Sequence, residues 1–167
     1  MTLGAPSGWT QLQTASVSGL QSRVWTKTAT AADLGSTVSV ASSGAVKSSM
    51  TVSAHRASAG GTLSVATSNV ASSGAAATSL TTPTVNATQP GWLVSYWGVK
   101  SSNAVSFSTP ASQQVRSDSV TTGTGNISAR LTDTGQPVPA GSSGGVTAGT
   151  GLATSRAAMF SILIEAH

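Results

Sequence analysis

The strongest pattern along the chain is the run Gly91-Trp92-Leu93-Val94-Ser95-Tyr96-Trp97-Gly98-Val99-Lys100. Neither alternating set within it is polar. Trp92, Val94 and Tyr96 form one face, and Leu93, Trp97 and Val99 form the other. A short run at period two with two apolar faces belongs in the middle of a sheet that is covered on both sides. Trp92 and Tyr96 are therefore expected in the core rather than at a site.

Other segments alternate more weakly. Residues 9–16 and 20–30 predict two strands, the second with Val24 on one face and Arg23, Trp25 and Lys27 on the other. A turn over 31–36 leads to a strand at 37–41 with Val38 and Val40 inward. Residues 46–57 read as a long strand that buries Met50, Val52 and Ala54, with Lys47, Ser49, Thr51, Ser53 and His55 opposite. A loop over 58–61 and a short strand at 63–66 follow, while 67–77 is too poor in large residues to assign. Residues 80–87 carry Pro83, which cannot donate to a ladder, and so read as an edge strand.

The second half repeats the style. Strands are expected at 104–108, 113–120 and 127–134, with a turn over 121–125 and Ile127, Ala129 and Leu131 inward. Residues 142–151 read as a mobile Gly/Ser/Thr loop. The closing strand, 152–165, has Phe160, Ile162 and Ile164 as its buried set. No segment shows a capped 3.6-residue period. Roughly eight to ten short strands with turn signals between them predict an all-β domain. The expected architecture is one antiparallel, jelly-roll-like β-sandwich over residues 1–167.

Composition alters this picture at the surface. Charged residues are 7% of the chain, against about 25% in an ordinary soluble domain. Ser, Thr, Ala and Gly take their place, so the surface is one of hydroxyls. The net charge of +4 comes from scarce acids, because the eight Lys and Arg are scattered without a basic stripe. That argues against nucleic acid as a partner. No apolar run approaches the roughly 20 residues of a membrane-spanning helix, and no signal-peptide pattern opens the chain. Without cysteine there is no disulfide framework.

Candidate chemistry is sparse. The four acids are Asp33, Asp118, Asp133 and Glu165. Asp33 and Asp133 fall in predicted turns, where an Asx side chain satisfies backbone amides, so no acid/base pair for polysaccharide cleavage stands out. His55 lies beside Arg56 without the converging ligands that a metal needs. No catalytic, cofactor or metal residues are expected, and the chain does not read as an enzyme. Trp25, flanked on its face by Arg23 and Lys27, is the one aromatic placed for an interface or glycan contact. The plainer alternative has its ring packed under a loop while the basic stems snorkel.

Several motifs in order carry a family resemblance. They are Pro6-Ser7-Gly8-Trp9-Thr10, Arg23-Val24-Trp25-Thr26-Lys27-Thr28-Ala29-Thr30-Ala31-Ala32-Asp33 and Thr37-Val38-Ser39-Val40 in the first half. In the second half they are Trp92–Trp97, Val115-Arg116-Ser117, Leu131–Gly141 and Ala157–Ile164. Together they resemble β-rich domains of virion proteins from phages of Actinobacteria, often labelled minor tail proteins. The resemblance implies a structural virion protein of tail or head, assembled in the host cytoplasm. Its expected partners are copies of itself, a trimer by the habit of surface spikes, and other virion proteins. Adhesion to a host-surface glycan, or service as a carbohydrate-binding adhesin module, is the alternative. Family domains carry a further stretch before the Pro-Ser-Gly-Trp motif, where this chain has five residues. Either the domain is shortened or a neighbour's strand completes it.

Overall fold

The computed structural model describes residues 1–57, 61–123 and 125–167, and strands make up about half of these residues. In chain order they are β1 (Thr10–Val17), β2 (Leu20–Thr26), β3 (Leu63–Ser73), β4 (Ala77–Thr81), β5 (Thr84–Ala87) and β6 (Gly91–Ser101). They continue as β7 (Phe107–Ser108), β8 (Gln114–Val120), β9 (Asn126–Asp133), β10 (Gly141–Gly144), β11 (Thr147–Thr154) and β12 (Ala157–Ala166). All pairings are antiparallel. The fold is an all-β sandwich, as the spacing of turn signals predicts.

The main sheet has the order β3-β12-β6-β9-β8, which puts the two-sided apolar run at its centre. One face carries Leu93, Trp97 and Val99 of β6 together with Ala157, Met159 and Leu163 of β12. These residues pack on Leu80, Val85, Val105, Phe107 and Ala148 of the second layer. The Trp97 indole N–H donates to the Leu80 carbonyl at 2.9 Å, so the largest core side chain also ties the layers by a hydrogen bond. The opposite face carries Val94, Tyr96, Phe160 and Ile162. It is covered by the β1–β2 hairpin through Leu12, Ala15, Leu20 and Val24. Burying such side chains contributes about 1.5–3 kcal/mol each, which makes the double coverage of β6 the main source of stability.

The second layer is formed by β4-β11-β7 and β5-β10, and both pieces run along the same pair of chains. The pairing Thr81↔Thr147 on one side of the break continues as Thr84↔Gly144 on the other. Pro83 has no N–H to donate, so the ladder is interrupted there. Across the break Thr82 N–H donates to the Val146 carbonyl, and Val146 N–H donates to Thr82 Oγ1. Gly144 has φ +96°, and a Cβ on it would sit 2.4 Å from the Pro83 carbonyl oxygen. Only glycine allows that approach. The expected single strand at 80–87 is thus β4 and β5, with the proline between them.

Several expectations need correction. Residues 142–151 are not a loop but β10 and much of β11, which pair with β5 and with β4 and β7, and whose small residues admit close backbone contact. The poorly assigned stretch 67–77 is largely the second half of β3. The closing strand divides at Ser155-Arg156 into β11 and β12, and β12 buries both of its faces. The strand expected at 20–30 ends at Thr26. The turn expected at 31–36 is present and holds a 3-10 turn at Ala31–Asp33. Residues 37–41 form no strand, although Val38 and Val40 are half-buried; Leu3 and Ser42 form an isolated bridge at the end of the segment. The loop expected at 58–61 lies outside the described residues except for Gly61, as does Thr124 in the turn at 121–125.

The largest departure is residues 45–57, which form no strand. They run as an extended arm across the face of the main sheet beside β8, with Thr51 Oγ1 3.3 Å from Ser117 Oγ. The facing is the reverse of the pattern reading. Ser49, Thr51 and His55 turn half inward, whereas Met50 and Val52 are 58% and 56% exposed and Ala54 is also exposed. The surface under the arm is mixed, with the Ser117 hydroxyl and the Arg116–Asp133 ion pair beside Trp92, Leu131 and Ile164. The hydroxyl and imidazole side of the arm meets it, and the apolar side is left outward.

Candidate functional site

Arg23 and Trp25 lie on β2 and Lys27 directly follows it, all half-buried. Arg23 donates through Nη1 to the Leu3 carbonyl at 2.6 Å and so holds the N-terminal residues to the hairpin. Lys27 pairs with Asp33, closing the turn after β2. The Trp25 indole N–H is buried without a hydrogen-bond partner. Both flanking cations are thus engaged within the chain, and the three residues are tied into the hairpin and its neighbouring turn.

The four carboxylates are all occupied. Asp33 accepts from Lys27 and from the Thr30 amide, which caps the 3-10 turn. The Lys27 ammonium and the Thr30 donors bring its pKa down to about 2. Asp133 accepts from Arg116 Nε at 2.5 Å and Nη2 at 3.0 Å, and from the Gly135 amide at 2.8 Å. Both aspartates therefore cap turns, as their sequence context indicates. Asp118 pairs with Arg130, whose guanidinium also lies 5.9 Å from the centre of the Phe107 ring. Glu165 is 2% exposed and accepts from the Thr88 amide and hydroxyl.

One cleft gathers unlike polar groups. It opens between the arm, residues 51–56, and the main sheet, and has a volume of about 490 Å³. Leu63, Trp92, Leu131 and Ile164 supply carbon surface, while Asp133, Arg116 and His55 supply polar groups. Burial alone would raise the Asp133 pKa. The Arg116 guanidinium and the Gly135 amide outweigh it and hold the carboxyl below its ordinary value, helped by the Trp92 indole facing it. That indole N–H does not reach hydrogen-bond geometry and is buried without a partner. His55 is lowered by burial and by Arg116, against the opposing pull of Asp133, which favours the neutral ring. Its Nε2 lies 3.3 Å from Ser53 Oγ.

Trp92 departs from its expected place in the core: it is half-buried and walls this cleft. The hairpin covers the Tyr96 end of its face, and the arm bridges the rest without filling it. A second, more polar cleft of about 330 Å³ lies at Lys100–Ser102, Gly125 and residues 153–156. Among the described residues no cluster of three or more His, Asp or Glu is placed to hold a metal ion. No known protein family, curated protein or solved structure matches the chain.

Proposed function

We propose that this is a non-enzymatic structural protein of a phage particle. It is carried on the tail or as a head decoration and acts through contacts with copies of itself and with neighbouring virion proteins. The observation that supports association most directly is the arm. Over residues 45–57 it is extended and outside any ladder, and Val46, Met50 and Val52 are 40%, 58% and 56% exposed on a chain with few charges. An extended segment with outward apolar side chains is suited to burial against a neighbour. The hydroxyl-rich surface around it suits a wet, polar rim. The occupied carboxylates agree with a non-catalytic role, and the virion setting comes from the family resemblance of the ordered motifs.

The double variant Met50→Gln/Val52→Thr tests the association. Both side chains are exposed, so the stability of the isolated chain is expected to stay within about 0.5 kcal/mol of the original. Sedimentation at high concentration should show a trimer or other closed oligomer that the variant weakens, and particles grown with the variant should lose it. A wild-type chain that stays monomeric and is absent from purified particles would refute the proposal.

A further inference from the structure

We infer that the cleft beneath the arm is a subsite for a neutral sugar ring. Its volume of about 490 Å³ falls within the range of small-molecule sites, about 300–1,000 Å³. Trp92, Leu131 and Ile164 form a carbon wall suited to the C–H face of a pyranose. The polar groups beside that wall are mixed in kind. Asp133, 2% exposed, is acceptor-only and keeps lone-pair capacity beyond Arg116 and Gly135. Arg116 binds it through Nε and Nη2, which leaves Nη1 to donate. The Trp92 indole N–H faces Asp133 and is itself buried.

A sugar hydroxyl both donates and accepts, so adjacent hydroxyls can satisfy Asp133 and Arg116 at once. Fully charged ligands fit less well. A cation would meet Arg116 and Arg56, and an anion would meet Asp133. The inference stands apart from assembly, because it rests on the inward side of the arm rather than the outward one.

The test uses the full-length ¹⁵N-labelled chain and follows the indole N–H resonance of Trp92, assigned by its loss in Trp92→Phe. The probes are the methyl pyranosides of glucose, galactose and mannose, with methyl glucuronide and glycerol as controls. At least one neutral glycoside should give a saturable shift with an apparent Kd of about 1–10 mM. Leu63→Phe, at the open start of β3, enlarges a side chain lining the cleft and should weaken binding at least about tenfold while the other indole signals stay in place. No saturable shift with any neutral glycoside, a response that glycerol equals, binding of the glucuronide alone, or undiminished binding in Leu63→Phe would each overturn the assignment. Particle association is read separately by the Met50 and Val52 variant.

Discussion

Trp97 joins the two halves of the sandwich, and its replacement separates packing from hydrogen bonding. The side chain is fully buried, and its indole N–H donates at 2.9 Å to the carbonyl of Leu80, itself only 2% exposed. Trp97→Phe keeps one ring but leaves that carbonyl buried without this donor, which costs about 1–3 kcal/mol. The space left by the missing part of the indole adds about 1 kcal/mol. The sum is about 2–4 kcal/mol, which lowers Tm by about 4–16 °C in a domain of this size. Trp97→Ala removes the packing as well and should exceed it, at about 3–5 kcal/mol or more. Trp25→Phe is the control, because its indole N–H has no partner to lose, and it should cost under about 1 kcal/mol. Urea unfolding followed by circular dichroism, with the slope m unchanged, gives each value. If Trp97→Phe costs no more than Trp25→Phe, the bond to Leu80 is not holding the layers together.

Two further predictions concern backbone and charge. Gly144→Ala should destabilise by at least about 3 kcal/mol, since it combines φ +96° with a Cβ 2.4 Å from the Pro83 oxygen. Gly35→Ala, at φ +71° with nothing within 4 Å, should cost only the left-handed penalty of about 1–2 kcal/mol; equal losses in thermal unfolding would refute the close-approach argument. The Asp33 pKa is depressed from 3.8 to about 2, so its stabilising effect is present above pH 3.8 and lost as pH falls towards 2. The stability gap between wild type and Asp33→Asn should accordingly shrink across that window. A gap that stays constant from pH 5 to 2 would show that the Lys27 pair contributes nothing.

How far the fold was legible depends on residue size. The β6 run gave its place because large side chains at both parities demand cover on both sides, and the sheet order puts it in the middle. The two strands of the hairpin were legible as strands, although β2 is half-buried throughout from Gln21 to Thr26 rather than alternating as its pattern suggests. The strands that escaped notice are made of Gly, Ser, Thr and Ala. In β10, β11 and the second half of β3 the pairing is set by how closely two backbones can approach, as at Gly144 against Pro83 and Gly149 against Ser108. Hydropathy has no means of registering that. The break at Pro83 was visible as a missing donor, but not that Thr82 and Val146 would carry the layer across it.

The candidate site was less legible, and the arm explains why. Period-two alternation over 46–57 reads as a strand, but none forms there, and the pattern cannot say which face goes inward, because that depends on what lies beneath. Here the surface beneath sets the Arg116–Asp133 pair and Ser117 beside Trp92, Leu131 and Ile164; Ser49, Thr51 and His55 turn in, and Met50 and Val52 turn out. The same choice makes both candidate surfaces. An arm that buried Met50, Val52 and Ala54 would have filled the space against Trp92, Leu131 and Ile164, leaving neither a cleft nor an apolar strip outside. Because the inward side chains are instead short hydroxyls and one imidazole, the space stays open and keeps Asp133 and the Trp92 N–H beside carbon surface. Arg116 and Asp133 are separated by a whole turn and strand in sequence, and only the β8–β9 pairing brings them together. The signal that could have pointed there was Asp133-Thr134-Gly135, a turn-capping aspartate directly after a buried strand, whose carboxylate must stay at the end of the sheet that Trp92 also occupies.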